Sequence, residues 1–304
     1  MKRTIIVFLI FISTNVLYFQ SWAQSNQNMK PLRTAIINEL SNHKGKFAIA
    51  FKDLSTEKEL LINAGETFHA ASTMKTPVMI EVYQQVNEGK FSLNDSVEIK
   101  NLFKSIADGS EYSLDSANDS YSEIYHHIGE KSTLYDLVYQ MIINSSNLAT
   151  NMIIEKVDAK KVTQTMRDYG AKDIRVLRGV EDQKAYDRGM NNTTTAYDLM
   201  LIFEKIAKGE AVDKKSSDAM IQILLDQKHR DVIPARLPAE VKVAHKTGSI
   251  TGVQHDSGIV LLPNGNKYVL VILSKNLEDE KAAVESMAKV SQMIYSSLTN
   301  GSSK

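Results

Sequence analysis

Strand-like patterning in this chain is confined to its two ends, so any sheet it forms has to join segments separated by a long helical middle. Phe47 to Phe51 and Glu59 to Ile62 are short apolar or alternating runs around the polar turn Asp53 to Lys58, which predicts an antiparallel hairpin. The far end repeats the pattern at Val241 to His245, Ser257 to Leu262 and Tyr268 to Ser274. The last two are joined by Pro263-Asn264-Gly265-Asn266, whose Asn-Gly step favours a tight turn. Pro31 to His43, apolar at Leu32, Ala35, Ile36, Ile37 and Leu40 and stopped by Gly45, predicts a first helix, and Asp279 to Leu298 a closing one. Between residues 68 and 231 helical spacing recurs at Pro77 to Asn87, Thr133 to Ile143, Leu148 to Glu155, Lys160 to Asp168, Thr195 to Ala207 and Ser216 to Leu225. The expected architecture is a two-lobed α/β fold. Residues 24–67 and 232–304 form a discontinuous domain, an antiparallel sheet flanked by N- and C-terminal helices, and residues 68–231 form an inserted all-helical domain. A cleft between such lobes is a common place for a ligand. Asp108 to Tyr121, rich in Ser, Asp and Asn, reads as a surface loop.

Charge and cysteine usage narrow the function. Lys and Arg total 36 against 36 Asp and Glu, with no basic block, which excludes a nucleic-acid partner bound through a basic surface. With no cysteine there is no disulfide and no thiolate metal site. Met1-Lys2-Arg3, the apolar run Thr4 to Phe19 and then Ser21-Trp22-Ala23 have the layout of an export signal cleaved after Ala23, so residues 1–23 are expected to be a signal peptide. The run is broken by Ser13, Thr14 and Asn15 and is short for a ~20-residue span, so a stable membrane anchor is not expected. A soluble periplasmic or secreted protein follows, with a monomer as the default state.

The candidate chemistry begins at Ser72-Thr73-Met74-Lys75, immediately before Pro77 and an apolar helical run. Serine and lysine three apart share one face of a helix's first turns, so the lysine is expected to reach the hydroxyl. A serine hydroxyl is a weak nucleophile until a base takes its proton, and a lysine whose ammonium is disfavoured by burial can be that base. By itself the pattern is common by chance. Two further clusters add to it: Ser145-Ser146-Asn147 in a break between helical runs, and Lys246-Thr247-Gly248 continuing the strand pattern of Val241 to His245.

Ser-x-x-Lys, Ser-x-Asn and Lys-Thr-Gly in this order, 73 and 101 residues apart, resemble the three-part signature of serine β-lactamases and penicillin-binding proteins. The resemblance is to the class A β-lactamase family, in a divergent, Bacteroidetes-type branch, over essentially the whole chain after the leader. It implies Ser72 as acylated nucleophile, Lys75 as its activating partner and Ser145 as proton relay to the departing nitrogen. It further implies Asn147 on the substrate's side-chain amide, Lys246 and Thr247 on its carboxylate, and Gly248 as a point of close backbone approach. Backbone N–H groups of Ser72 and Ser249 would form the oxyanion hole. Asn151 would tie its helix to the loop beneath the site. The partner implied is a small-molecule β-lactam, with no cofactor and no metal.

Two positions depart from that pattern. The family's deacylating glutamate lies in Glu-x-x-Leu-Asn, whereas this loop reads Glu181-Asp182-Gln183-Lys184-Ala185, so Glu181 is the candidate base without the asparagine that usually follows. Ser146 stands where aspartate is usual. A solvated loop acid is the plain alternative for Glu181, with Asp182 or Asp187 pairing with Arg178 or Arg188. A DD-peptidase, transpeptidase or esterase on the same fold, or a non-catalytic β-lactam or muropeptide sensor, is the functional alternative.

The remaining candidates read as structural. His126-His127 lacks metal-ligand spacing. His245 should face away from Lys246 across its strand. His69 fits the helix entrance better than a triad, and His255 either contacts substrate or caps a turn. Tyr112 and Tyr121 are candidates for the cleft mouth, and Arg236 and Lys267 for secondary carboxylate contacts.

Overall fold

The computed structural model describes residues 29–299, so the expected signal peptide and the last five residues lie outside the described part of the chain. Five strands, β1 (Lys46–Asp53), β2 (Glu59–Ile62), β9 (Lys242–Ile250), β10 (Val253–Leu261) and β11 (Lys267–Lys275), build the main sheet. It is antiparallel throughout and runs in the order β2-β1-β11-β10-β9. The two chain ends therefore meet along the β1–β11 ladder, where Phe51 pairs with Leu270.

Alternation decides which layer each strand residue joins. Ile49, Phe51, Leu270 and Ile272 face helices α1 (Lys30–Leu40) and α9 (Glu280–Thr299), with Ile36, Met287 and Ile294 in the same buried cluster. Ala48, Ala50, Val269 and Val271 face the other way, onto Phe203 and Ile206 of α7 (Ala196–Lys208). Small alanines on that face let a helix lie close to the sheet. Both faces being covered, the strands read as nearly continuous apolar runs. Each large side chain so buried contributes about 1.5–3 kcal/mol.

The middle of the chain supplies helices α2 (Lys75–Asn87), α3 (Leu134–Ile143), α4 (Asn147–Val157), α5 (Ala159–Asp168), α6 (Gln183–Asp187), α7 and α8 (Lys214–Leu225). Six follow the helical spacing in the sequence. α6, five residues long, is too short to produce a periodicity and was not expected. Also unexpected are pairs of very short strands: β3 (Phe68–His69) with β8 (Thr193–Thr194), β4 (Ser96–Glu98) with β7 (Lys131–Thr133), and β5 (Phe103–Lys104) with β6 (Glu111–Tyr112). α7 lies inside the helical stretch of sequence yet packs on the sheet, so the hydrophobic core runs continuously from sheet to helices. Among the described residues no helix is long and apolar enough to cross a membrane.

The Asp108–Tyr121 segment is largely exposed, as expected of a surface loop, with two exceptions and one short element. Leu114 and Asp119 are buried, and the segment's start folds into the β5–β6 hairpin. The Asn264-Gly265 turn forms as its sequence suggests, with Gly265 at φ +86° and its N–H donating to Leu262 O.

Candidate active site

Ser72 sits in a single 3₁₀ turn, Ala71–Met74, that leads directly into α2. The residue before it, Ala71, adopts φ +44°, and its N–H donates to His69 Nδ1 at 3.0 Å. That bond makes His69 Nδ1 an acceptor, and burial together with the Arg178 charge holds its pKa below the usual histidine value. His69 thus shapes the entrance to the turn, and no bond joins it to Ser72. Gly248 of β9 packs against this turn from the sheet side. A Cβ there would come within 3.1 Å of Ser72 N and 3.0 Å of Thr73 N, tighter than ordinary contact, so glycine lets the strand lie this close without displacing the turn.

Lys75 occupies the first position of α2 and is fully buried. Contrary to the simple helical expectation, its ammonium does not bond Ser72. Nζ donates to Ser145 O at 2.6 Å, Asn147 Oδ1 at 2.9 Å and Ser145 Oγ at 3.2 Å. Ser72 and Lys75 do share one face of the turn, but the start of α4 offers the ammonium three acceptors, and these take all of its donors. Burial lowers the Lys75 pKa to about 7, against the opposing pull of the Asp119 and Glu181 carboxylates. Lys246, also fully buried, donates to the same Ser145 Oγ at 3.0 Å and to Thr247 O at 2.8 Å. Burial and the neighbouring Lys75 charge hold its pKa well below the usual lysine value. With two lysines donating into its lone pairs, the Ser145 hydroxyl must direct its own proton elsewhere. Ser145 is held at φ +58°, a left-handed conformation uncommon outside glycine.

Asn147 connects Lys75 to Glu181. Its Oδ1 accepts from Lys75, and its Nδ2 donates to Glu181 Oε1 at 2.7 Å, which fixes the amide's orientation because lysine can only donate and carboxylate only accept. Glu181 is half-buried at φ +59°. Desolvation raises its pKa above the usual carboxylate value, with Asp119 adding to the rise and the Asn147 amide and Lys75 opposing it. Asn151, buried on α4, holds the preceding residue. Its Oδ1 accepts from Val180 N at 2.6 Å, and its Nδ2 donates to Val180 O at 3.0 Å and Tyr112 Oη at 3.2 Å.

Two adjoining clefts meet at Ser72. One, ≈ 490 Å³, is lined by Ser72, Ser145, Thr247, Ser249 and Lys281; the other, ≈ 300 Å³, by Ser72, Asn147, Glu181, Tyr186, Ser249 and Ile250. The residues of the three motifs, Ser249 and Glu181 therefore belong to one constellation: Ser72, Lys75, Ser145, Asn147, Glu181, Lys246, Thr247, Gly248 and Ser249. β9 is the sheet's edge, so half of its backbone groups face away from β10 toward this cleft.

Of the subsidiary expectations, those for Arg236, Lys267, Arg178, Arg188, Tyr112 and Tyr121 are corrected, while His245 and His255 take the structural places the sequence suggested. Arg236 forms an exposed pair with Glu285, and Lys267 Nζ lies on Ala207 O at 3.4 Å, so neither reaches the cleft. Arg178 and Arg188 pair with no loop carboxylate. Arg178 donates to Met190 O, Gly179 O and Asn191 Oδ1, and Arg188 to Ala107 O, while Asp182 caps α6 and holds Ser105 and Ile106. His255 is buried, its Nε2 donating to His69 O at 2.9 Å and its Nδ1 accepting from Ser274 N at 3.1 Å. Burial pushes its pKa down to about 4, as fits a neutral structural ring. His245 faces away from the cleft and bonds the buried Asp256 at 2.9 Å. Tyr112 lies beneath the Glu181 loop instead of at the mouth, and Tyr121 packs against the helical core. Among the described residues no cluster suited to a metal occurs.

The sequence matches the model of the Beta-lactamase enzyme family over residues 31–298. The chain belongs to this family. Among curated proteins, beta-lactamase VEB-1 of Pseudomonas aeruginosa is 23% identical over 95% of this chain and 94% of its own length. The extended-spectrum beta-lactamase PER-1 of the same organism is 23% identical over 91% and 89%. Among solved structures, a beta-lactamase from Sphaerobacter thermophilus superposes with a TM-score of 0.76 at 25% identity, covering 87% of this chain and 95% of that one. PBP-A superposes with a TM-score of 0.76 at 26% identity, covering 90% and 97%, and a mutant of PBP-A is described as an acyl-enzyme complex with penicillin-G. The fold of this β-lactamase-family member is that of the serine β-lactamases, a helical part beside an antiparallel sheet.

Asp119 was missed by sequence reasoning. It is buried and accepts hydrogen bonds at the start of α4. Its immediate neighbours, Asn118 and Ser120, are polar, so the sequence carries no local signal for its burial.

Proposed function

We propose that this protein is a β-lactamase that opens the β-lactam amide of penicillins and cephalosporins through an acyl-serine intermediate. The observation that carries the reading is the Asn147 amide joining Lys75 to Glu181 beside Ser72, which sets two proton carriers around one nucleophile. Lys75, with a pKa of about 7, is available in its neutral form to take the Ser72 proton. Ser145 passes a proton to the departing nitrogen. Lys246 and Thr247 hold the substrate carboxylate, whose charge restores the ammonium that burial disfavours. The N–H groups of Ser72 and Ser249 stabilise the developing oxyanion. Glu181 activates the water that releases the acyl group, its raised pKa bringing it nearer the range of an effective general base. The chain acts as an exported monomer with no cofactor.

The likeness to PBP-A favours a second reading, a penicillin-binding protein that is acylated and turns over slowly. Stopped-flow and intact-mass measurements with a chromogenic cephalosporin separate the two. Steady turnover lost in Ser72→Ala, with an acyl adduct accumulating in Glu181→Ala, supports the β-lactamase. A single stoichiometric burst, a persistent adduct on the unaltered protein and no effect of Glu181→Ala would move the protein to the second reading.

A further inference from the structure

Asp119 reaches α4 from a segment 28 residues earlier in the chain. Its Oδ2 accepts from Asn147 N at 2.9 Å, Leu148 N at 2.9 Å, Tyr125 Oη at 3.2 Å and Ser146 Oγ at 3.4 Å, and its Oδ1 from Tyr121 N at 3.0 Å. The first N–H groups of a helix have no partner within it and need acceptors from outside. Here Asp119 takes those of Asn147 and Leu148, Ser146 Oγ takes that of Ala149 at 3.3 Å, and Ser146 O takes that of Thr150. The start of α4 is thus built by two side chains from different segments. One lies at a sequence position where a carboxylate was expected and a hydroxyl is found; the other is a carboxylate arriving from elsewhere.

The helix start carries the site. Asn147 is its first residue and bridges Lys75 and Glu181, and Ser145 two residues earlier receives both lysines. We propose that Asp119 is a positioning residue for the acylation and deacylation machinery: it delivers from the preceding loop the carboxylate that Ser146 does not supply, fixes Ser145 and Asn147 through the α4 start, and sets the negative charge felt by both Lys75 and Glu181. That charge acts in one direction on the two groups, raising the proton affinity of each. The other charged or titratable groups around Lys75 are Glu181, Lys246 and His229, and those around Glu181 are Lys75, Tyr112 and Tyr125. Neutralising Asp119 should therefore move both titrations to lower pH together, a signature that loosening of the loop alone does not produce.

The inference rests on the acyl-serine reading for its rate measurements, and the test includes a measurement that does not. Asp119→Asn, Asp119→Ala and the double variant Asp119→Ala with Ser146→Asp are made in the full-length chain. Lys75 is titrated by ¹³C NMR of ε-labelled lysine, assigned with Lys75→Arg, and acylation and deacylation by a chromogenic cephalosporin are followed against pH. In Asp119→Asn the Lys75 titration should fall by about half a pH unit or more, and the acid limbs of both rate profiles should shift the same way. The acylation rate should drop about tenfold, as expected for losing a charge-assisted bond at the helix start. In the double variant, Ser146→Asp returns a carboxylate to a favourable cap position and should recover a measurable part of the rate lost in Asp119→Ala. An unmoved Lys75 titration in a folded Asp119→Asn protein overturns the electrostatic claim. A double variant no faster than Asp119→Ala overturns the claim that the carboxylate has been relocated. If Asp119→Ala does not fold, Ser146→Asp is tested on Asp119→Asn with the same two outcomes. Absence of any acylation in the unaltered protein refutes the functional reading and leaves the Lys75 titration to decide the role of Asp119.

Discussion

Asn151→Ala tests whether the Glu181 loop is held from below by a single amide. The side chain makes three bonds: Val180 N to Oδ1 at 2.6 Å, and Nδ2 to Val180 O at 3.0 Å and to Tyr112 Oη at 3.2 Å. Truncation leaves the Val180 N–H without an acceptor in a partly buried place, a loss of about 1–3 kcal/mol. Val180 O keeps the weaker Tyr112 hydroxyl at 3.4 Å, so losing its Asn151 bond adds only about 0.5–1.5 kcal/mol. The sum, about 2–4 kcal/mol, corresponds to a melting temperature lower by roughly 4–12 °C for a domain of this size. Because Glu181 follows Val180 directly, the same loss should slow deacylation at least about tenfold and leave acylation within about threefold, since a small displacement of a catalytic group is costly. Differential scanning calorimetry and intact-mass trapping of the acyl adduct measure the two effects. Gly179→Ala supplies the partner mutation, because its Cβ would fall 2.2 Å from Asn151 Oδ1 and must push the loop off the same amide. The two substitutions should be strongly non-additive. A protein destabilised by Asn151→Ala whose deacylation is unchanged would refute the argument, and so would additive effects of the pair.

Gly248→Ala should slow acylation by about tenfold or more, on the order of one lost oxyanion contact, because the new methyl meets the backbone nitrogens of Ser72 and Thr73 and the buried Thr73 methyl; stopped-flow acylation on the variant, with calorimetry to confirm that it folds, checks this. Deacylation should fail on the acid side at a pH above the ordinary glutamate value, because the Glu181 pKa is raised and only the carboxylate can activate water; a limb at or below that value in single-turnover assays argues against Glu181 as the base. The depressed pKa of Lys75 also links stability to pH. Between about 7 and the reference value of 10.5 the unfolded chain holds a proton the folded one has released, so stability rises with pH across that window. Urea titrations at several pH values should show a shallower rise in Lys75→Met.

The sheet and most helices were legible because their signals are local and repeated. Apolar runs broken by polar turns mark β1, β2 and β9 to β11, and helical spacing marks α2 to α5, α7 and α8. The three clusters Ser72-Lys75, Ser145-Asn147 and Lys246-Gly248 were legible by type and order. What escaped depends on contacts between distant segments. The reach of Lys75 to Ser145 instead of Ser72 follows from acceptors that the start of α4 brings in from 70 residues away, which local spacing does not reveal. The burial of Asp119 follows from unpaired amides of a helix that begins 28 residues later. Arg178 was expected to seek a carboxylate, yet the loop presents it with carbonyls of Gly179 and Met190, a choice made by backbone path and not by residue type.

The unfavourable features of the molecule gather where the chemistry is proposed. Ala71, Ser145 and Glu181 all adopt positive φ, at about 1–3 kcal/mol each for a residue held in a sparsely populated region. Lys75 and Lys246 are both fully buried around one hydroxyl, which costs further free energy in whichever protonation state they share. Such an arrangement persists only if its surroundings over-determine it. Gly248 locks the Ser72 turn to β9, Asn151 locks the Glu181 loop to α4, and Asp119 locks the α4 start that presents Ser145 and Asn147. Each of these three supports touches a different strained residue or its neighbour. The chemical consequence of relaxing each should therefore differ: deacylation alone for Asn151, and both steps for Gly248, through the oxyanion hole, and for Asp119, whose helix start serves the two steps together.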